Sequence, residues 1–158
     1  DVHMSRGLGD VYKRQTFVDA EARIGQTGVD EVAHANLEFK NGIKAKVSTA
    51  IMESMKNNAV IKGSEGMIEL PDPWMPGRQG GPYHAKIIIS KNGNEEVTDV
   101  KGPEHLFFFE GELASQCIAK EKIQPPHPAM TWEDTLGNLQ ALDTWREKVN
   151  YKLPQDEI

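Results

Sequence analysis

Asp30–Ile51, D-E-V-A-H-A-N-L-E-F-K-N-G-I-K-A-K-V-S-T-A-I, is the stretch from which the fold can be read outward. Ala33, Ala35, Leu37 and Phe39 alternate with His34, Asn36 and Glu38. Alternation with a period of two predicts a half-buried strand, because successive side chains leave a strand on opposite faces. Asn41-Gly42 comes next. Both residues tolerate positive φ, so the pair is a strong hairpin signal. The return strand is expected from Ile43 to about Met52, with Ile43, Ala45, Val47, Thr49 and Ile51 on one face.

The same signals continue down the chain. A third strand is expected over about Asn58–Lys62, a turn at Gly63-Ser64-Glu65-Gly66, and a short strand over Met67–Leu70. Ala85–Ser90 and Glu95–Val100 flank a second Asn-Gly pair, Asn92-Gly93, and predict another hairpin. Strands joined by turns this tight pair antiparallel. Pro71–Tyr83 lies between the fourth and fifth of these strands, rich in Pro and Gly and holding Trp74. A loop of that length is often functional.

The last third changes period. Leu106, Phe109, Leu113 and Cys117 recur at helical spacing and predict an amphipathic helix over about Glu104–Lys120, despite Gly111. Three prolines in Gln124–Met130 break the pattern. Thr131 then reads as an N-cap, with Asp134 three residues on in a capping-box arrangement. Trp132, Leu136, Leu139, Leu142, Trp145 and Val149 mark one face of a helix running to about Asn150. The expectation is an α+β fold: a largely antiparallel open β-sheet of about six strands, with helices packed on one face.

The N-terminal residues read differently. Asp10–Gln15, D-V-Y-K-R-Q, can be back-translated as GAT-GTG-TAT-AAG-AGA-CAG, the transposon end used to tag DNA fragments for sequencing. Residues 1–15 are therefore set aside as a non-native junction. Residues 16–158 are treated as native chain, with the sequence upstream of Thr16 expected to be missing. Composition bounds the rest. The net charge, −6 over the full chain and −7 with residues 1–15 set aside, argues against a nucleic-acid partner, whose affinity comes mainly from Lys and Arg on phosphates. No apolar run approaches a membrane span. A single cysteine, Cys117, excludes an internal disulfide and suits a reducing cytoplasm.

Candidate chemistry is sparse. The only G-x-G, Gly7-Leu8-Gly9, lies in the junction and follows no strand. Cys117 falls on an apolar helix face as a structural thiol, and no His, Cys or carboxylate cluster has metal-ligand spacing. Asp30 and His34 form the D-x-x-x-H pattern that some sugar dehydrogenases use as an acid/base pair. On a helix such residues are about 5–6 Å apart; on a strand the separation is about 13 Å. The alternation makes this a strand, so the pair is no dyad. His84, His105 and His127 are read as surface or packing residues. Trp74 either lines a ligand site or plugs the sheet edge, and Arg78 either meets an anionic or hydroxylated ligand or is solvated. Phe107-Phe108-Phe109 cannot all lie on one helix face. Phe109 fits the core stripe, leaving Phe107 or Phe108 for a ligand or partner domain.

Three stretches carry a resemblance. T-G-V-D-E (Thr27–Glu31), G-S-E-G-M-I-E-L-P-D-P-W-M-P (Gly63–Pro76) and M-T-W-E-D-T-L-G-N-L-Q-A-L-D-T-W-R (Met130–Arg146) resemble the C-terminal domain of Gfo/Idh/MocA oxidoreductases. The dihydrodiol-dehydrogenase-like branch is the most similar in appearance. The resemblance implies a two-domain parent enzyme that moves hydride between NAD or NADP and a hydroxyl-bearing carbon of a sugar, cyclitol or dihydrodiol. The nucleotide would be held mainly by an N-terminal Rossmann domain, with no metal. This chain would supply part of the substrate pocket and a homo-oligomer interface through its open sheet face. The family's glycine fingerprint, E-K-P lysine and acid/base histidine region all belong upstream of Thr27–Glu31. No catalytic or cofactor-binding residue is therefore assigned here, and the segment alone is expected to be inactive. The alternative is a non-catalytic small-molecule-binding or dimerisation module.

Overall fold

Seven strands and two helices make up the described part of the chain in the computed structural model, which covers residues 15–39, 42–76, 82 and 84–152. β1 (Gln15–Ile24), β2 (Asp30–Phe39) and β3 (Lys44–Ala50) form one antiparallel sheet in chain order. β4 (Asn58–Gly63), β5 (Gly66–Pro71), β6 (His84–Lys91) and β7 (Asn94–Lys101) form a second, also in chain order. Two helices follow, α1 (Leu106–Ala119) and α2 (Trp132–Lys148). The α+β class and the antiparallel pairing expected from the sequence are both present. The strands divide between two sheets.

β1 is the strand that the alternation did not reveal. Its legible half, Asp19-Ala20-Glu21-Ala22-Arg23, does alternate. The inward residues are alanines and the outward ones Glu and Arg, all poor strand formers taken alone. Pairing with β2 overrides that preference: Ala20 lies opposite Ala35 and Ala22 opposite Ala33. β3 also ends earlier than the pattern predicts. Ile51 and Met52 lie beyond it and are 69% and 65% exposed, while their amides both donate to the Glu31 carbonyl, at 3.0 and 3.4 Å.

The Asn92-Gly93 hairpin forms as read. Lys91 pairs with Asn94, and the two turn residues have φ of 52° and 77°. That is the left-handed geometry a two-residue loop requires to match strand twist. At the first hairpin Lys40 and Asn41 lie outside the described residues; Phe39 N donates to Ile43 O at 2.9 Å. Gly66 serves a different purpose. A Cβ there would stand 2.4 Å from the Ser90 carbonyl, so only glycine lets β5 approach β6 this closely.

The chain divides into two compact units, one holding β1–β3 with α2 and the other β4–β7 with α1. In the first, Ala33, Ala35, Val47 and Trp145 form a buried cluster, with Ala20, Ala22, Leu37, Ala141 and Val149 packed around it. The alanines on β1 and β2 leave a shallow floor that admits an indole ring. α2 starts at the predicted capping box: Thr131 Oγ1 accepts from Asp134 N, and Asp134 Oδ2 accepts from Thr131 N at 3.0 Å. Its apolar stripe is only partly used. Trp145 is buried, whereas Trp132, Leu136 and Leu139, turned more than 100° around the axis from it, are exposed. No helix among the described residues is long and apolar enough to cross a membrane.

Candidate substrate-facing site

β5 delivers the chain to Trp74. Asn58 on β4 pairs with Pro71, and the Asp72 amide extends that pairing by donating to the Asn57 carbonyl at 2.7 Å. Asp72 sits at φ 47°, which turns the chain out of the strand. Pro73, Trp74, Met75 and Pro76 follow, all half-buried. Just inside the strand, the Glu69 carboxylate accepts from Lys56 Nζ at 2.6 Å and Asn58 Nδ2 at 3.0 Å. The Lys56 ammonium and then the Asn58 amide hold this carboxyl below its ordinary range. A charged clamp thus fixes the end of β5 from which the Trp74 segment emerges. Arg78, in the same loop, lies outside the described residues.

α1 belongs to the same unit as Trp74. His105 is its N-cap, with Nδ1 accepting from the Phe107 amide at 3.4 Å and its ring 5.2 Å from that of Phe107. Phe107 is 55% exposed and Phe108 49%, and Phe108 meets Phe109 edge-on at 5.8 Å. Phe109 corrects the sequence reading: it is 44% exposed and belongs to no buried stripe. No α1 residue is buried; Leu113 and Cys117 are half-buried. The reason is angular, since consecutive helical residues point about 100° apart and three aromatics in a row fan around the axis. No ring contact joins Trp74 to Phe107 or Phe108 among the described residues. Phe107 and Phe108 present apolar rings with solvent-facing area, suited to the flat face of a ring-shaped ligand by dispersion and stacking.

Acid/base groups are accounted for elsewhere. His34 lies on β2 and its Nδ1 is 2.8 Å from Ser48 Oγ on β3, away from any partnership with Asp30. A histidine–carboxylate pair absent from the sequence reading does form: His84 Nε2 lies 3.1 Å from Asp99 Oδ1 across β6 and β7. The hydrogen bond from His84 holds the Asp99 carboxyl below its ordinary value. Hairpin register could have disclosed it, since the Asn92-Gly93 turn sets Asp99 opposite Lys86 and thus diagonal to His84. No group of three or more His, Cys, Asp or Glu suited to a metal occurs among the described residues.

Nor do the described residues fit a nicotinamide nucleotide. Dinucleotide pyrophosphates sit on a helix N-terminus reached from a parallel strand through a glycine-rich turn. Here every strand pairing is antiparallel. At α1 the Phe107 amide is taken by the His105 ring, and at α2 the Asp134 amide is taken by Thr131 Oγ1, with the Asp134 carboxylate beside it to repel a phosphate.

No protein-family model matches the chain. Curated relatives do. Trans-1,2-dihydrobenzene-1,2-diol dehydrogenase of Mus musculus is 21% identical over 89% of this chain and 41% of its own length. The Xenopus tropicalis enzyme of that name is 29% identical over 80% of this chain and 38% of its own. Among solved structures, KijD10, a 3-ketoreductase from Actinomadura kijaniata in complex with TDP-benzene and NADP, shares the fold with a TM-score of 0.75. It is 19% identical, over 91% of this chain and 44% of its own. The resemblance to Gfo/Idh/MocA oxidoreductases and their dihydrodiol-dehydrogenase branch is borne out. The chain spans less than half the length of these relatives.

Proposed function

We propose that this relative of the dihydrodiol dehydrogenases is the substrate-side and assembly domain of an NAD(P)-dependent oxidoreductase. The whole protein would pass hydride between nicotinamide and a hydroxyl-bearing carbon of a sugar, cyclitol or dihydrodiol. Residues 16–158 form the C-terminal domain, and a separate Rossmann domain holds the nucleotide. One observation carries the reading: kinship runs over most of this chain, yet over only about two fifths of the dehydrogenases it matches. The antiparallel sheets and the occupied helix N-termini support it, because they leave the nucleotide to be held elsewhere.

Within that enzyme, Trp74, Phe107 and Phe108 face the substrate's ring, and Arg78 meets its hydroxyl or anionic groups. The open face of the β1–β2–β3 sheet makes a homo-oligomer, and the protein works in the cytoplasm. The chain alone neither turns over nor binds nicotinamide nucleotide tightly. Calorimetric titration of NADH and NADPH into it is expected to give no heat of binding; dissociation constants of about micromolar would overturn this division of labour. Genomic sequence upstream of Thr16 supplies the second test. An in-frame glycine-rich strand–turn–helix is expected, and a start codon beside Thr16 would favour a stand-alone binding module instead.

A further inference from the structure

The open end of the β6–β7 hairpin carries four polar side chains on one face. Residues paired across strands share a face, and so do residues two apart along a strand. His84 pairs with Lys101 and Lys86 with Asp99, so the four stand at the corners of a small quadrilateral. Direct partners are about 5 Å apart at Cβ and diagonal ones about 7–8 Å. Asp99 therefore has two lysines at hand, Lys86 opposite it and Lys101 two residues along its own strand. Its carboxylate bonds across the diagonal instead, with Oδ1 3.1 Å from His84 Nε2. Both lysines still act on it through space. The His84 hydrogen bond first, and then the charges of Lys86, His84 and Lys101, hold the Asp99 carboxyl below its ordinary range. Lys86 and Lys101 are exposed, and neither forms an ion pair among the described residues. The histidine thus takes the acid of the group and leaves two ammonium groups uncommitted.

This group stands where the Trp74 segment joins its sheet. β5 ends at Pro71, three residues before Trp74, and β6 begins at His84. The two strands are antiparallel partners with Glu69 opposite Ile88, so the end of one lies beside the start of the other. Lys86 shares the face of Ile88, one step nearer that end. Lysine binds phosphate as a mobile point charge. Two ammonium groups rooted about 7–8 Å apart can converge on separate oxygens of one tetrahedral anion. A phosphoryl group carries close to two negative charges and so engages both, whereas a carboxylate balances only one. In a chain of net charge −6, such an anion needs a local pair of free cations to be held at all.

We propose that Lys86 and Lys101 form a phosphoryl-binding site at the foot of the Trp74 segment, with His84 holding Asp99 aside, and that the substrate of the whole enzyme is a phosphorylated sugar or cyclitol. The inference deepens the substrate-facing role proposed above and rests on it: the ring goes to Trp74 and the phosphoryl group to the two lysines.

Amide magnetic resonance of the full chain, titrated with sodium phosphate at ionic strength held constant by sodium chloride, tests the site. Saturable shifts are expected at Lys86, Lys101 and their neighbours, with half-saturation at millimolar phosphate. Lys86→Gln and Lys101→Gln should each raise the half-saturating concentration about twofold to fivefold, as expected for an exposed charge pair. Asp99→Asn removes a competing negative charge and should lower it. The same spectra show whether each variant is folded. Sodium acetate at equal ionic strength should leave these resonances in place. Pyrophosphate that binds tighter than phosphate would support the site and assign a diphosphate linkage; equal binding would support it and assign a monoester. Shifts that rise without saturation, or that fall equally on the exposed Lys62 and Lys91, would mean general screening and overturn the proposal. Half-saturation indifferent to both lysine variants, or acetate binding as tight as phosphate, would overturn it too. Neither nucleotide nor turnover enters this experiment, so its failure removes the phosphoryl site alone; the sequence upstream of Thr16 decides the oxidoreductase reading separately.

Discussion

Trp145 and Ala35 are buried in one cluster, 8% and 1% exposed, so a tryptophan of α2 is set against one of the smallest side chains on β2. The pairing is volumetric: an alanine floor makes the depth that an indole fills. Trp145→Ala should cost about 3–5 kcal/mol of unfolding free energy, and Trp145→Phe clearly less. Urea denaturation followed by far-ultraviolet dichroism measures both. Equal, small losses would mean that α2 is held elsewhere than at this ring.

The start of α2 gives a second expectation. Thr131 Oγ1 and the Asp134 carboxylate each satisfy a backbone amide of the other residue, and acids in the first turn with bases in the last suit the helix dipole. Thr131→Ala should destabilise the protein by about 1 kcal/mol, and Thr131→Ser should restore most of it. Thermal melts of the two variants check this.

Glu69 sets an acid limit on the strand that carries Trp74. Its folded carboxyl titrates below the unfolded one because Lys56, and then Asn58, stabilise the charged form. A depressed carboxyl contributes stability that is present above its unfolded pKa and is lost as pH falls through the folded value. The Tm difference between wild type and Glu69→Gln should therefore be present at neutral pH and shrink below the ordinary carboxylate range. A difference that grows on acidification would reverse the sign and refute the assignment.

Trp74 offers the kinetic test of the proposed site. In the catalytically complete protein, Trp74→Ala should raise KM or lower kcat/KM several-fold, with nucleotide affinity nearly unchanged; removing ring contact of this kind costs roughly 0.5–1.5 kcal/mol. Steady-state kinetics with both substrates varied separates the two constants. A matching loss of stability without a kinetic change would assign the half-buried indole to packing.

Much of this architecture is local and was legible. β2 and the hairpin at Asn92-Gly93 follow from alternation and from positive-φ residues, and the α2 cap follows from a hydroxyl three residues before a carboxylate. Each depends on backbone geometry within a few residues. β1 was not legible, because Ala, Glu and Arg prefer a helix until a partner strand pairs with them. The His84–Asp99 pair needed the register as well as the strands. Of the candidate substrate-facing residues, the turn chemistry around Trp74 and the three consecutive phenylalanines were visible as letters, but their exposure was not.

Sequence alone determined the α+β class, the antiparallel hairpins, the helix boundary at Thr131 and the family kinship, since periodicity, turn residues and capping are properties of neighbours in the chain. The tertiary structure decided which apolar residues are buried. The three-and-four spacing links Trp132 to Trp145, but at 100° a residue it drifts, leaving the two about 140° apart around the helix, the first 61% exposed and the second 8%. Periodicity says which side chains share a face; only the position of the alanine floor on β1 and β2 says which of them has something to rest on. It also decided that Asp19 and Glu21 of β1 share a surface with Lys44 and Lys46 of β3, because that arrangement exists only once both strands have paired with β2.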